Sequence, residues 1–204
     1  VSASAFAIIL TTAAFGAGDT ININPLPAGS VTPENGLAAW SRIYEVASHP
    51  RCSNCHTGPS DRPMWSGPTY GKTRQHGMNI QAGESRIGAE TLNCGTCHTT
   101  KDADWINANQ TPHAAPRVAD NWRLAPVEAH WFGQSSETIC AQLRDPNLNG
   151  DRDILELAKH LDHDVILHWA WTPGGGREAA PYSLQEHVDD LLAWGAAGAP
   201  CPQD

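Results

Sequence analysis

The sequence predicts a mainly α-helical protein with much irregular loop. Hydrophobic residues make up 40% of the chain, and its 18 glycines and 15 prolines limit the length of any helix. Apolar residues at helical spacing recur in a few short stretches, each preceded by a residue type that commonly caps helices. A short motif of two cysteines and a histidine occurs twice in the irregular part, and we expect the helices to be arranged around these two motifs.

The two motifs are Cys52-Ser53-Asn54-Cys55-His56 and, after residues 57–93, Cys94-Gly95-Thr96-Cys97-His98. Two thiols a short turn apart can add to the vinyl groups of one porphyrin, and the next histidine offers its imidazole to the iron. The alternative is one zinc site made from the four cysteines, with incidental histidines. Two copies, each followed by histidine, favour two covalent c-type haems. The predicted fold is class I-like, with short helices wrapped around the two haems of a dihaem c-type cytochrome.

The N-terminal region differs from the rest in composition. Residues 1–36 are expected to form an apolar arm and linker, and residues 37–204 the dihaem domain. Residues 1–16 carry no charge and resemble the apolar region of a signal peptide, and they are too short for a membrane span of about 20 residues. If the arm is retained, it packs either on its own domain or, by strand addition, on a neighbouring subunit. The second hypothesis gives a homo-oligomer or filament.

Four helices are predicted from caps and periodicity. The first opens at Glu34 or Asn35 and ends near His49, with one face made of Leu37, Trp40, Ile43, Tyr44 and Ala47. The others run from Ser135 to about Arg144, from Asp151 or Asp153 to about Leu161, and from Ser183 to Trp194. Residues 57–93 and 99–134 lack periodicity and are expected to wrap around haem, with Trp122 and Trp131 packed over porphyrin.

Charge and cysteine usage restrict the partners and the compartment. A net charge of −9 argues against nucleic acid and against an anionic membrane surface, and leaves a basic redox protein as the expected partner. Covalent haem attachment in bacteria takes place outside the cytoplasm, so we expect an exported protein, periplasmic or extracellular. The two cysteines outside the motifs, Cys140 and Cys201, are then expected to form a disulfide rather than remain free thiols.

Each iron needs a second axial ligand besides His56 or His98. The chain has only two methionines, Met64 and Met78, against eight further histidines: His49, His76, His113, His130, His160, His163, His168 and His187. These numbers favour two histidine ligands for each haem, which places the potential below that of a histidine–methionine pair.

The chain also resembles dihaem cytochromes found alongside isoquinoline 1-oxidoreductase-type molybdenum hydroxylases. The resemblance covers roughly residues 37–203 and rests on an ordered series of motifs: His49-Pro50-Arg51-Cys52-Ser53-Asn54-Cys55-His56, Gln75-His76, Cys94-Gly95-Thr96-Cys97-His98, Trp122-Arg123-Leu124-Ala125-Pro126, Asp145-Pro146-Asn147-Leu148-Asn149-Gly150, His160, Trp169-Ala170-Trp171-Thr172-Pro173-Gly174 and Gly198-Ala199-Pro200-Cys201-Pro202. It implies that His76 and His160 are the remaining iron ligands and that Cys140 and Cys201 form a pair.

Two features of the ligand set stay open. His163, three residues after His160, is the main alternative ligand. His168 stands where the family has glycine, which leaves open a ligand shared with another subunit. We expect His56 and His76 to ligate the haem on Cys52 and Cys55, and His98 and His160 the haem on Cys94 and Cys97.

These observations predict an electron-transfer protein with two low-spin, bis-histidine haems. One alternative is a subunit of an extracellular conductive filament. Another, implied by the resemblance, is a soluble periplasmic electron acceptor for a molybdenum hydroxylase. A dihaem redox enzyme is the third, and it requires an iron with an open coordination position.

Overall fold

The computed structural model describes residues 21–58, 62–66, 73–98, 115–116 and 121–203. This part of the chain is mainly helical with irregular loops, as predicted. The predicted arm at residues 1–16, with its proposed contact to a neighbouring subunit, lies outside the described residues, as does His113.

The regular elements are short. The helices are α1 (Pro33–Ser48), α2 (Pro50–Ser53), α3 (Ser136–Arg144), α4 (Pro146–Asn149), α5 (Ile154–His163), α6 (Val165–Trp171) and α7 (Leu184–Ala196). The strands β1 (Met64–Trp65) and β2 (Arg74–Gln75) pair antiparallel, with Met64 opposite Gln75. A 3₁₀ turn covers Cys94–Thr96.

The predicted helix starts agree with the observed caps. Ser135 caps α3, Asp153 caps α5 and Ser183 caps α7. The last two form reciprocal capping boxes with Glu156 and Glu186, as the spacing predicted. Helix α1 begins slightly earlier than predicted, because Thr32 accepts a hydrogen bond from the Asn35 amide and Pro33 occupies the first turn. The expected boundary after residue 36 therefore falls inside α1.

The core lies between α1 and α7, with α3 and α5 packed around them. The Trp40 and Trp194 rings are 5.1 Å apart, and both side chains are at most 2% exposed. Their indole N–H groups donate to the Ser136 hydroxyl and the Pro200 carbonyl, both at 2.9 Å. These bonds satisfy the polar atoms that burial of two indoles would otherwise leave unpaired.

One residue of the predicted face of α1 points elsewhere. Leu37 is 38% exposed, whereas Gly36 and Ala39 are buried. A Cβ on Gly36 would lie 2.4 Å from the Cβ of Ala197, so only glycine permits this close approach. The contact surface of α1 therefore passes through Gly36 instead of Leu37.

The described part of the predicted linker packs on α7. Ile21 and Ile23 contact the core, and Gln185 accepts from the Asn22 amide at 2.8 Å. The Gly29 amide donates to the Ala196 carbonyl at 2.7 Å. Residues 21–32 thus run along α7 without regular secondary structure.

The predicted disulfide is confirmed. Cys140 on α3 is bonded to Cys201 after α7, with Cα atoms 5.7 Å apart. Among the described residues, no helix combines the length and the apolar character that crossing a membrane requires.

The acid sensitivity of the fold is expected to depend on His187. This α7 side chain is 8% exposed, and no hydrogen-bond partner of its Nδ1 is found among the described residues. Burial lowers the pKa of His187 from 6.5 to about 4. Between pH 6.5 and about pH 4, His187 is protonated in the unfolded chain but not in the folded chain. The free energy of unfolding therefore falls as the pH falls through this range. We expect the free energy of unfolding to drop by about 2 kcal/mol from about pH 7 to pH 5 because of this residue.

Urea unfolding at the two pH values tests this expectation in wild type, His187→Gln and the matched surface variant His163→Gln. His163 is a suitable control because its side chain is 74% exposed. The pH-dependent loss should shrink in His187→Gln and persist in His163→Gln. Equal losses in all three proteins would assign the acid sensitivity to other groups.

Candidate functional site

Both cysteine motifs fold as a single helical turn. The amides of Cys55 and His56 donate to the Cys52 carbonyl at 3.1 and 3.2 Å. In the second motif, the amides of Cys97 and His98 donate to the Cys94 carbonyl at 3.2 and 2.9 Å. Residues three and four positions apart share one side of such a turn. Each motif therefore brings two thiols and one imidazole to the same side.

Each motif histidine is held in the same way. His56 Nδ1 donates to the Ala129 carbonyl at 2.9 Å, and the Trp131 ring stacks on the imidazole at 3.5 Å with an interplanar angle of 5°. His98 Nδ1 donates to the Pro116 carbonyl at 3.0 Å, and Trp122 stacks on it at 4.5 Å and 13°. A carbonyl only accepts, so Nδ1 carries the proton and Nε2 keeps its lone pair, as in histidines that bind metals.

The two tryptophans thus contact the motif histidines. Both rings stack on the imidazoles, and their expected packing over porphyrin stays a prediction. Neither these stacks nor the two carbonyl acceptors were predicted. Backbone carbonyls have no signature in the sequence, and only the abundance of tryptophan, eight residues, pointed to aromatic packing near the motifs.

A cavity of about 500 Å³ adjoins both motifs. It is lined by Cys94, Cys97 and His98 of the second motif, by Cys55 of the first, and by His76. Its volume lies in the range of roughly 300–1,000 Å³ that is usual for ligand pockets. The second motif therefore faces a preformed space, with one thiol of the first motif on its wall.

The cavity wall is cationic. Arg51, Arg74 and Arg177 line it, and no aspartate or glutamate is among its described lining residues. The whole chain has 22 acidic residues against 13 basic ones, so the wall has the opposite sign to the protein. Trp169 also lines the cavity, and its buried Nε1 finds no acceptor in the described part of the chain. This wall suits a ligand that carries carboxylates.

His76 faces the histidine of the second motif. The two ring centres are 6.2 Å apart and the rings are inclined by 53°. His76 Nδ1 donates to the Gly77 carbonyl at 2.9 Å, which leaves its Nε2 free to bind a metal. Two imidazoles on opposite sides of one metal ion, each bound at about 2.0–2.1 Å, have ring centres roughly 6 Å apart. The observed separation therefore fits one metal ion between His76 and His98.

The other predicted ligand, His160 on α5, is close to the first motif. The pKa of His56 is lowered to about 4, mainly by burial and in smaller part by repulsion from His160 and Arg86, against the opposing effect of its hydrogen bond to Ala129. His56 is thus neutral at physiological pH, as an imidazole ligand must be. The rival His163 is 74% exposed and bonds through Nδ1 to the Lys159 carbonyl. His160 thus lies within electrostatic range of His56, and His76 lies beside His98. The pairing expected from the sequence, His56 with His76 and His98 with His160, stays a prediction.

Burial raises the pKa of three of the four motif thiols. The pKa of Cys52 is raised to about 12 and that of Cys55 to about 11, and the pKa of Cys94 is also raised. Among the described residues, no three His, Cys, Asp or Glu side chains are grouped as a metal site requires. The four motif cysteines are therefore not gathered into one zinc site in the described part of the chain.

No protein family model, no curated protein and no solved structure matches the chain.

Proposed function

We propose that the protein is an electron carrier that binds two covalent c-type haems, each held by two histidines. The observation that carries this proposal is the pair His76 and His98, whose rings are 6.2 Å apart across a cavity that also exposes Cys94 and Cys97. Two thiols and two neighbouring imidazoles at one cavity are the full set of protein ligands that a bis-histidine haem c requires.

The chemistry of the cavity supports the same proposal. A haem brings a large apolar ring and two propionate carboxylates. Leu124, Ile80 and Trp122 provide apolar wall, while Arg51, Arg74 and Arg177 provide positive charge. Trp169 Nε1, which has no acceptor among the described residues, is a further donor for a carboxylate oxygen. The second haem would therefore occupy this cavity.

The first haem would use Cys52, Cys55 and His56 on α2 and the residues after it. Its second ligand would be His160, because α5 brings this side chain near His56. His56 is fixed by Ala129 and Trp131 in the manner of His98. The ligand pairs we propose are thus His56 with His160 and His98 with His76.

The proposed ligand set favours electron transfer over catalysis. When bound, the haems supply one-electron redox chemistry. Two histidines per iron leave no coordination position for a substrate, so the chain holds and insulates its cofactors. The disulfide between Cys140 and Cys201 supports export to an oxidising compartment. The resemblance in the sequence suggests a periplasmic molybdenum hydroxylase as the electron donor.

Haem content tests the proposal directly. The chain, produced in a bacterial host with the c-type maturation machinery, should gain the mass of two haems and show a low-spin bis-histidine spectrum. The double variant Cys94→Ser/Cys97→Ser should gain one haem, and so should Cys52→Ser/Cys55→Ser. The variant Cys140→Ser/Cys201→Ser is the matched control for removing two cysteines, and it should keep both haems.

Three results would contradict the proposal. One is an intact protein without added haem, and another is a purified protein with stoichiometric zinc on the motif cysteines. The third is a methionine–iron charge-transfer band in the oxidised spectrum, which would assign Met64 or Met78 of the cavity wall as a ligand in place of His76.

A further inference from the structure

Arg86 occupies an unusual position just before the second motif. It is 7% exposed, and its backbone lies in the left-handed region with φ of 61°. This conformation is unfavourable for a residue with a Cβ, and glycine would adopt it without that cost. A strained, buried arginine suggests that its side chain has a function that offsets the strain.

The Arg86 side chain ties the surroundings of the two motifs together. Its Nε donates to the Ala125 carbonyl at 2.7 Å, and its Nη2 contacts the Thr57 carbonyl at 3.4 Å. Thr57 directly follows His56. The Arg86 carbonyl also accepts from the amide of Leu124, a residue of the cavity wall, at 2.9 Å. The guanidinium therefore lies between the end of the first motif and the wall of the second haem cavity.

The positive charge of Arg86 acts electrostatically on residues of both motifs. Its proximity lowers the pKa of Cys55 and His56 in the first motif and that of Cys94 in the second, against the larger effect of burial on the two thiols. A buried charge is screened much less than a surface charge, so it acts on several neighbours at once.

We infer that Arg86 is a positioning residue shared by the two sites, and that its fixed positive charge favours the reduced state of both haems. The inference rests on the proposed function. Reduction removes one unit of positive charge from each haem, so a nearby fixed cation stabilises the reduced form relative to the oxidised form. Arginine suits this role because it stays protonated at every accessible pH.

The test is a spectroelectrochemical titration of the dihaem protein and its variants. In Arg86→Gln, the ferrous-to-ferric ratio of both haems at a fixed potential should fall on the order of tenfold, as for loss of one partly buried unit charge. Arg144→Gln is the matched control, because it removes the same charge from an exposed position at the end of α3. It should change the ratio less than twofold, on the order of the effect of a screened surface charge. Arg86→Lys keeps the charge and should stay near wild type.

The outcomes separate the two proposals. If the wild-type protein carries no haem, the proposed function fails whatever Arg86 does. If both haems load and Arg86→Gln leaves the ratio unchanged, or Arg144→Gln changes it equally, the role of Arg86 is overturned. If Arg86→Gln loses haem and Arg86→Lys does not restore it, Arg86 is structural only, which also overturns the inference. Restoration of haem and of the wild-type ratio by Arg86→Lys supports a role for the charge.

Discussion

The substitution His76→Ala is expected to convert one haem, the one on Cys94 and Cys97, from low spin to high spin. The reason is geometric, since His76 and His98 both line the cavity and their ring centres are 6.2 Å apart. Without His76 the iron keeps one strong protein ligand. The absorption and electron paramagnetic resonance spectra of the oxidised protein should then show equal amounts of high-spin and low-spin haem.

Single-haem proteins identify which haem responds. In a Cys52→Ser/Cys55→Ser background, which keeps the second haem, His76→Ala should convert all of the haem to high spin. In a Cys94→Ser/Cys97→Ser background, which keeps the first, His76→Ala should change nothing. His160→Ala should leave the haem low-spin in the Cys52→Ser/Cys55→Ser background and convert it to high spin in the Cys94→Ser/Cys97→Ser background. This crossed result follows from the proposed ligand pairs, His56 with His160 and His98 with His76.

Met78→Leu and His163→Gln are the controls for these ligand variants. Met78 lines the same cavity as His76 and is 74% exposed, and His163 is the alternative ligand closest to His160 in the chain. Neither substitution should change the spin state. If His76→Ala instead affects the haem on Cys52 and Cys55, the ligands follow the pairing expected from the sequence, and the proposed arrangement is wrong.

The longer helices could be predicted from the sequence because their caps and their apolar periodicity involve residues that are close together in the chain. Ser135, Asp153 and Ser183 cap helices at the predicted positions, since the cap bond joins a side-chain oxygen to the amide only three residues later in the sequence. Helices α2, α4 and α6 were not predicted. They have four to seven residues, too few for a periodic pattern, and they depend on caps next to proline and on tertiary contacts.

The sequence likewise predicts the part of the candidate site that is local in the chain and misses the part that depends on distant contacts. The motifs identified the thiols and the first histidine of each set, because spacing within one turn fixes their relation. The partner of each histidine depends on the path of irregular chain. The antiparallel pairing of β1 and β2 precedes His76, whose amide donates to the Pro63 carbonyl at 2.9 Å and so fixes the start of the loop that carries it. Such long-range contacts have no local signature, so the sequence alone does not determine which second histidine belongs to which motif.

The disulfide provides the second large expected effect. Cys140 and Cys201 are 61 residues apart in sequence, so their bond closes a long loop and restricts the unfolded chain. On the chain-entropy model, this restriction contributes about 4 kcal/mol to stability. In the folded protein, the bond holds the C-terminal tail near α1, where Gly36 approaches Ala197 and Pro200. Its loss should therefore destabilise the fold without changing either haem site.

Equilibrium unfolding in urea, followed by far-ultraviolet circular dichroism, measures this effect in the dihaem protein. The variant Cys140→Ser/Cys201→Ser should lose about 4 kcal/mol of unfolding free energy relative to oxidised wild type. Wild type unfolded in the presence of a phosphine reductant, which leaves thioether bonds intact, should approach the variant, and the variant should not respond to the reductant. The haem spectra of folded wild type and variant should be identical. A loss below about 1 kcal/mol would mean that the unfolded chain gains little freedom when this loop is opened.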